Sequence, residues 1–313
     1  MKVAIVGAGG VGGYFGGRLA QAGEDVVFIA RGEHLRSMQR QGLRVDSING
    51  DFRVDRVAAT DDPATVGEVD YVLVAVKSWQ LRDAIETMRP MVGETTAIVP
   101  LLNGVEAPDR LADVFGAGRV LGGTCSVISM IAGPGHVRHA GAHPTIRFGE
   151  LDHRRSERGE RLRNAFSRAE GVQVEVPGDI HVAMWNKYIM IAPWSGVGAV
   201  TRAPVGVIRR LPETRALLEH AMEEILLLAR ARRVAMEREA IGQAMAFIDA
   251  LPCEGTASMQ RDIMAGRPSE LDAQNGTVVR LGKAAGVATP VNGMIYSSLL
   301  PLERRARKEL DFD

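Results

Sequence analysis

The sequence predicts an α/β chain in which a doubly wound parallel sheet is followed by an all-helical C-terminal domain. Near-continuous apolar runs at residues 2–6 (KVAIV), 25–29 (DVVFI), 71–76 (YVLVAV) and 96–100 (TAIVP) read as strands buried on both faces. Helical patterns lie between them, at 11–22, 33–40 and 79–90, the last stopping at Pro90. Strands that alternate with helices imply parallel pairing. From 119 to 149, glycines and short β-prone runs predict further strands, with a hairpin around Gly141-Ala142. Beyond about residue 179 the strand signal stops. Leu217, Leu218, Ala221, Met222, Ile225, Leu228 and Ala229 recur at helical spacing, and 236–251 and 269–285 continue in kind. The predicted domains are therefore 1–178 and 179–313.

Bulk composition narrows the function. At 313 residues the chain is long enough for two cores, and 46% hydrophobic with 24% charged is ordinary globular composition. Lys plus Arg equals Asp plus Glu at 38 each, so no global field draws nucleic acid or an anionic membrane. Arginine-rich patches such as Arg154-Arg155 and Arg209-Arg210 are interleaved with acids and read as solvated helix faces. Two distant cysteines, Cys125 and Cys253, fit a reducing compartment better than a disulfide framework. No apolar run is suited to a signal peptide or a membrane span, and the expected location is cytoplasmic. His136, His139, His143 and His153 lie in turn-like sequence without Cys or acidic ligands, so no metal site is expected. A homodimer is compatible with the sequence, the helix over 213–232 serving as core or subunit interface.

The first strand runs straight into Gly7-Ala8-Gly9-Gly10-Val11-Gly12. A G-x-G-x-x-G that follows a buried strand and opens a helix is the Rossmann-like dinucleotide fingerprint: glycines allow a tight turn and close approach of a pyrophosphate. At the end of the second strand, where a carboxylate would favour NAD, the sequence places Arg31. A guanidinium suits a 2′-phosphate, so NADP(H) is the expected cofactor; the alternative is that Arg31 only pairs with Glu24 or Glu33. Lys77 and Asn103-Gly104 stand at the carboxyl ends of the next two strands, where ligands of open α/β sheets bind.

Lys187 lies in the apolar run MWNKYIMIAPWSG, near the predicted domain junction. A lysine there either snorkels to water or serves a function. In this setting an ammonium can protonate or stabilise an oxygen that gains negative charge.

Taken together these residues resemble the ketopantoate reductase (2-dehydropantoate 2-reductase) family over essentially the whole chain. The resemblance includes the glycine motif, Arg31-Gly32 with Leu35 and Gly42-Leu43, Val74 to Gln80 (V-x-V-K-x-x-Q), Asn103-Gly104 and Trp185 to Lys187 (W-x-K). It ends with Ser258-Met259 and Glu270 to Gly276 (ELDAQNG). It implies NADPH-dependent reduction of a 2-oxo acid, with Lys187 as proton donor and Glu270 ordering it. It also implies Asn103 by the nicotinamide, Lys77 close by, and Ser258 holding the substrate carboxylate. From the residues alone, Ser269-Glu270 after Pro268 equally suits an ordinary helix start.

The chain departs from the family where asparagines are typical: Ile191 and Ser195 stand four and eight residues after Lys187, and Val205 lies between Pro204 and Gly206. Isoleucine and valine cannot grip a carboxylate or hydroxyl as an amide does. The leading expectation is reduction of 2-dehydropantoate to (R)-pantoate, a step of pantothenate biosynthesis. Lys187, Ser195 and Ser258 form the expected substrate-binding set. The alternatives are the same reduction on a less polar 2-oxo acid, and an NADP(H) sensor without catalysis.

Overall fold

Alternate residues of the first strand, Lys2–Val6, enter different cores: Val3 and Ile5 join one apolar cluster, Ala4 and Val6 another. Asp25–Ile29, Tyr71–Val74 and Ala97–Pro100 divide the same way. With both faces buried there is no polar alternation, hence the continuous apolar runs in the sequence. A computed structural model describes residues 1–141 and 143–311. These strands form an all-parallel five-stranded sheet in the order 58–60, 25–29, 2–6, 71–74, 97–100. The edge strand Ala58–Thr60 has only three residues, none of them buried, too few to produce a periodic signal.

Helices Gly10–Gln21 and Gly32–Gln41 lie within one residue of their predicted spans. The third predicted helix is split into a tight turn, Ser78–Gln80, the helix Leu81–Met88, and a closing turn, Arg89–Met91, that contains Pro90. The 119–149 region supplies Leu121–Ser126, Ser129–Gly133, His136–His139 and Thr145–Glu150. Ser129–Gly133 and His136–His139 pair antiparallel through Pro134-Gly135 and extend a sheet with Leu43–Ser47 and Phe52–Val54. The turn expected at Gly141-Ala142 involves Ala142, which lies outside the described residues. Among the described residues, His136 meets Asp46 at 2.8 Å and His139 meets Ser47 at 2.9 Å.

The chain divides into two compact units, residues 1–102 with 107–180, and 103–106 with 181–313. Residues 103–106, placed by sequence in the N-terminal domain, thus group with the second unit. That unit is built from Ile180–Thr201, Pro212–Ala231, Glu239–Ala250, Thr277–Ala285 and Pro290–Ala306 around one apolar core. Among the described residues, no helix is long and apolar enough to cross a membrane.

A buried polar chain ties these helices together. The N-terminus of Pro290–Ala306 leaves N–H groups without helical acceptors. Glu224 of Pro212–Ala231, 7% exposed, accepts from Val291 N at 2.7 Å, Asn292 N at 2.9 Å and Asn292 Nδ2 at 2.7 Å. Asn292 Nδ2 also donates to Ala221 O (3.1 Å), and its Oδ1 accepts from Asn275 Nδ2 (3.0 Å). Asn275 Nδ2 reaches Ala192 O on Ile180–Thr201 at 3.4 Å. A Cβ on Gly196 would come within 2.8 Å of the Asn275 amide, so that close approach depends on a glycine. Asn292→Ala deletes the central link, leaving Asn275 Nδ2 only the 3.4 Å contact with Ala192 O and Glu224 only its two backbone donors. We expect a loss of about 3 kcal/mol in unfolding free energy, read from the urea midpoint at unchanged m-value.

Candidate functional site

The glycine motif forms the turn between the first strand and the helix Gly10–Gln21. Gly7 has φ +98°, and a Cβ there would sit 2.8 Å from Ala75 O. Only glycine fits both conditions. A Cβ on Gly12 would collide with Gly7 O, so this glycine permits close helix–strand packing. Gly10 is pressed against the Ser129 carbonyl. Gly9 differs: nothing lies within 4 Å of the position its Cβ would take. The loop is tight wherever it meets protein and open at Gly9, the residue that caps the helix N-terminus. Ala8 is buried, and Val11 is half-buried on the first turn. These residues fit a dinucleotide pyrophosphate.

Arg31 is exposed at the N-cap of Gly32–Gln41. Its Nη2 lies 3.5 Å from Thr87 Oγ1. The two acids it could have joined are engaged elsewhere: Glu33 with Arg36 and Arg40, Glu24 with the N-terminal amine and Arg168. The Arg36 guanidinium holds the Glu33 carboxyl below its usual range. Lys77, half-buried, precedes the turn Ser78–Gln80, and its backbone N–H donates to Gln80 Oε1 at 3.2 Å.

In the second unit, Asn103 Nδ2 donates to Glu270 Oε2 at 2.8 Å, joining residues 167 apart in sequence. Gly104, at φ +94°, lets this loop close on Ala273: a Cβ would stand 2.8 Å from Ala273 O. Glu270 is 4% exposed and stands at a helix start, its carbonyl accepting from Gln274 N at 2.9 Å while Leu271 N donates to Ser269 Oγ at 3.2 Å. Ser269 before it is clamped: Glu303 accepts from its N–H at 3.0 Å and from its hydroxyl, while Arg307 Nη2 donates to its carbonyl at 3.0 Å. Residues Asp272–Gly276 then form a π-helical turn, with Gly276 N bonded to Leu271 O at 3.0 Å. Such turns recur at functional sites.

Lys187 is half-buried on Ile180–Thr201, between buried Met184, Trp185 and Tyr188 and exposed Asn186. Tyr188 donates to Gln274 O at 2.6 Å, and burial pushes its phenol pKa well up, so it stays a donor. Ile191 and Ser195 follow Lys187 on one helical face. Ser195 is fully buried, and its Oγ is without a partner among the described residues; Val205 is fully buried too. Ser258 is half-buried at the first position of Ser258–Met264. The structure thus brings Asn103 to Glu270 and packs the 274–275 segment on the helix that carries Lys187 and Ser195.

The strand–glycine–helix turn of the first unit has the form of a dinucleotide-binding turn. Comparison with known proteins makes this specific. Residues 3–153 match the family described as ketopantoate reductase PanE/ApbA, and residues 179–303 match its C-terminal counterpart. A Bacillus subtilis protein named uncharacterized oxidoreductase YkpB is 31% identical over 303 residues, covering 96% of this chain and 98% of that protein. The crystal structure of 2-dehydropantoate 2-reductase from Geobacter metallireducens is 34% identical, with a TM-score of 0.89 over 98% of this chain and 100% of that one. D-mandelate dehydrogenase, at 21% identity and TM-score 0.89 over 98% and 99% of the two chains, shares the fold. The chain belongs to the ketopantoate reductase family. It is an oxidoreductase that uses a nicotinamide cofactor.

Several residues around these positions escape sequence reasoning. Glu303 and Arg307 lie on a C-terminal helix face that reads as solvated charge, and Gln274 as one polar residue among several. Gln274 is fully buried, and both polar atoms of its amide are without a partner among the described residues. An unsatisfied buried amide costs stability. Gln274→Leu should therefore raise the unfolding free energy by about 1–2 kcal/mol; a lower urea midpoint would show that the amide is satisfied in the folded protein.

Proposed function

We propose that this protein reduces 2-dehydropantoate to (R)-pantoate with NADPH, with Lys187 as the proton donor. The observation that carries the reading is the 2.8 Å hydrogen bond from Asn103 to Glu270. It joins, in one unit, the two motif residues that family resemblance assigns to the nicotinamide and to the ordering of the lysine. Both would be idle in a nucleotide sensor.

The bound nicotinamide supplies the hydride to the 2-oxo carbon. The chain's own residues do the rest. Gly7 to Gly12 hold the pyrophosphate through backbone N–H groups and the helix N-terminus, and Arg31, its neighbouring acids already paired, takes the 2′-phosphate. Family resemblance assigns Lys77, and separately Asn103, to the nicotinamide end of the cofactor. The Lys187 ammonium donates a hydrogen bond to the carbonyl oxygen and then a proton as charge develops there. Glu270, fixed through Ser269 by Glu303 and Arg307, orders that ammonium and offsets the cost of its partial burial. Ser258 holds the substrate carboxylate, whereas the Ser195 hydroxyl, also expected there, is fully buried. Cys125 is buried and Cys253 exposed, and the two are not joined in a disulfide, which accords with the cytoplasmic location expected from the sequence.

A second reading keeps the mechanism and changes the acid. Ile191 and Val205 offer no hydrogen bonds where family members typically carry amides, which favours a less polar 2-oxo acid. NADPH oxidation over a panel of 2-oxo acids separates the two readings. Preference for ketopantoate supports the first, preference for an aliphatic or aromatic analogue the second, and turnover of none would sink both.

Lys187→Ala should lower kcat by ~10²- to 10⁴-fold if it is the general acid; near-normal turnover would remove that role. Arg31→Ala should weaken NADPH far more than NADH in fluorescence titrations. An equal loss for both would reject the 2′-phosphate assignment.

A further inference from the structure

The imidazole of His34 bridges two backbone groups of the first unit. Its Nε2 lies 2.9 Å from Ala8 O, and Gly135 N–H points at its Nδ1 from 3.1 Å. A carbonyl can only accept and an N–H can only donate, so the two contacts fix one tautomer: Nε2 carries the proton and Nδ1 is the acceptor. Burial of the ring lowers its pKa against the upward pull of the Ala8 and Gly133 carbonyls, which keeps the imidazole neutral.

Gly135 is a firm anchor without His34. Its carbonyl accepts from Arg44 N at 2.9 Å, and the neighbouring Pro134 carbonyl accepts from Ser37 Oγ at 3.0 Å. The hairpin 129–139 also packs on the helix that follows the glycine loop, at Gly10 through the Ser129 carbonyl and at Gly13 through Val137. What His34 alone adds is its hold on Ala8 O.

Ala8 lies between Gly7 and Gly9, so the held carbonyl belongs to the Ala8–Gly9 peptide. In a planar trans peptide the C=O and the N–H point in opposite directions. Fixing the carbonyl toward His34 therefore fixes the Gly9 N–H away from it. A flip of this peptide changes ψ of Ala8 and φ of Gly9 from its present −73°, and glycine tolerates the positive φ that results; a flipped unit would turn a carbonyl oxygen, rather than an N–H, toward an incoming phosphate.

We propose that His34 is a positioning residue for the cofactor: by holding the Ala8 carbonyl it keeps the Gly9 N–H in the orientation that receives the dinucleotide pyrophosphate. The inference rests on the nicotinamide cofactor and is independent of the substrate and of NADP over NAD. It makes one helix, Gly32–Gln41, responsible for two parts of cofactor recognition. Arg31 at its N-cap selects the ribose end, and His34 in its first turn shapes the phosphate loop.

The test compares two amides. In His34→Gln the longer side chain can carry an N–H to Ala8 O. In His34→Asn the carbonyl can still accept from Gly135 N–H, but the side chain is too short to reach Ala8. Fluorescence titration with NADPH and with NADH should show His34→Asn weakened three- to tenfold, by the same factor for both dinucleotides, since the pyrophosphate is common to them. His34→Gln should stay within about twofold of wild type, and kcat at saturating cofactor should be unchanged in both. Equal affinities for the two variants, or a loss confined to NADPH, would overturn the proposal. Wild-type protein that bound neither dinucleotide would overturn the cofactor assignment and this inference with it.

Discussion

The carboxylate of Glu224 is the tie on which the second unit depends. A buried charge is tolerated only when its lone pairs are filled, and here three N–H donors from Val291 and Asn292 fill them. The same bonds answer the unsatisfied start of Pro290–Ala306 and favour a negative charge at that helix terminus. From Asn292 the chain of bonds continues to Asn275 and to the Ala192 carbonyl, so four helical segments share one set of satisfied polar groups. Apolar packing alone permits helices to slide and rotate; a connected polar chain admits one register. That register places the 270–276 segment, with Glu270 at its head, along the helix of Lys187.

Glu270 shows how far this positioning extends. Its own contact is with Asn103, but its backbone is set by Ser269, and Ser269 is held at both N–H and C=O by Glu303 and Arg307. Glu303 and Arg307 are one helical turn apart, Arg307 Nε donating to Glu303 Oε1 at 2.7 Å. An i,i+4 pair of this kind on an exposed helix contributes a few tenths of a kcal/mol. Here the Glu303 side chain is 5% exposed and the pair gains its importance from what it grips. The π-helical turn after Glu270 adds one residue to the helical register, which lets Tyr188 meet the Gln274 carbonyl while Asn275 faces the Ala192 carbonyl.

What could be read from the sequence follows from this physics. The parallel strands are legible because burial on both faces leaves an apolar run, and the glycine motif because its turn has few chemical solutions. Lys187 stands out as a charge in an apolar stretch. Ala58–Thr60 and Phe52–Val54 are too short for a period to emerge, and Glu157–Ser167 is dominated by surface charge. Glu224, Glu303, Asn292 and His34 are invisible for another reason: each acts on backbone groups distant in sequence, and the partners of a backbone N–H or C=O leave no mark on residue type. The placement of residues 103–106 with the helical unit is hidden likewise, since it follows from Asn103 and Gly104 meeting Glu270 and Ala273 across more than 160 positions.

The cofactor loop and the helical unit solve one problem in two ways. Around the glycine motif, side chains are removed: Gly7, Gly10 and Gly12 let backbone meet backbone, and Gly9 leaves its space open. Around Glu270, side chains are added until the local backbone has no freedom. A loop made permissive by glycine gains reach at the cost of definition, and it needs an external brace to choose among its conformers. His34 is placed to be that brace, a neutral ring anchored on a hairpin turn that is itself held from two other sides. The helix that carries it begins at Arg31, so orientation of the loop and the charge that selects the dinucleotide descend from the same first turn, and neither can shift without the other.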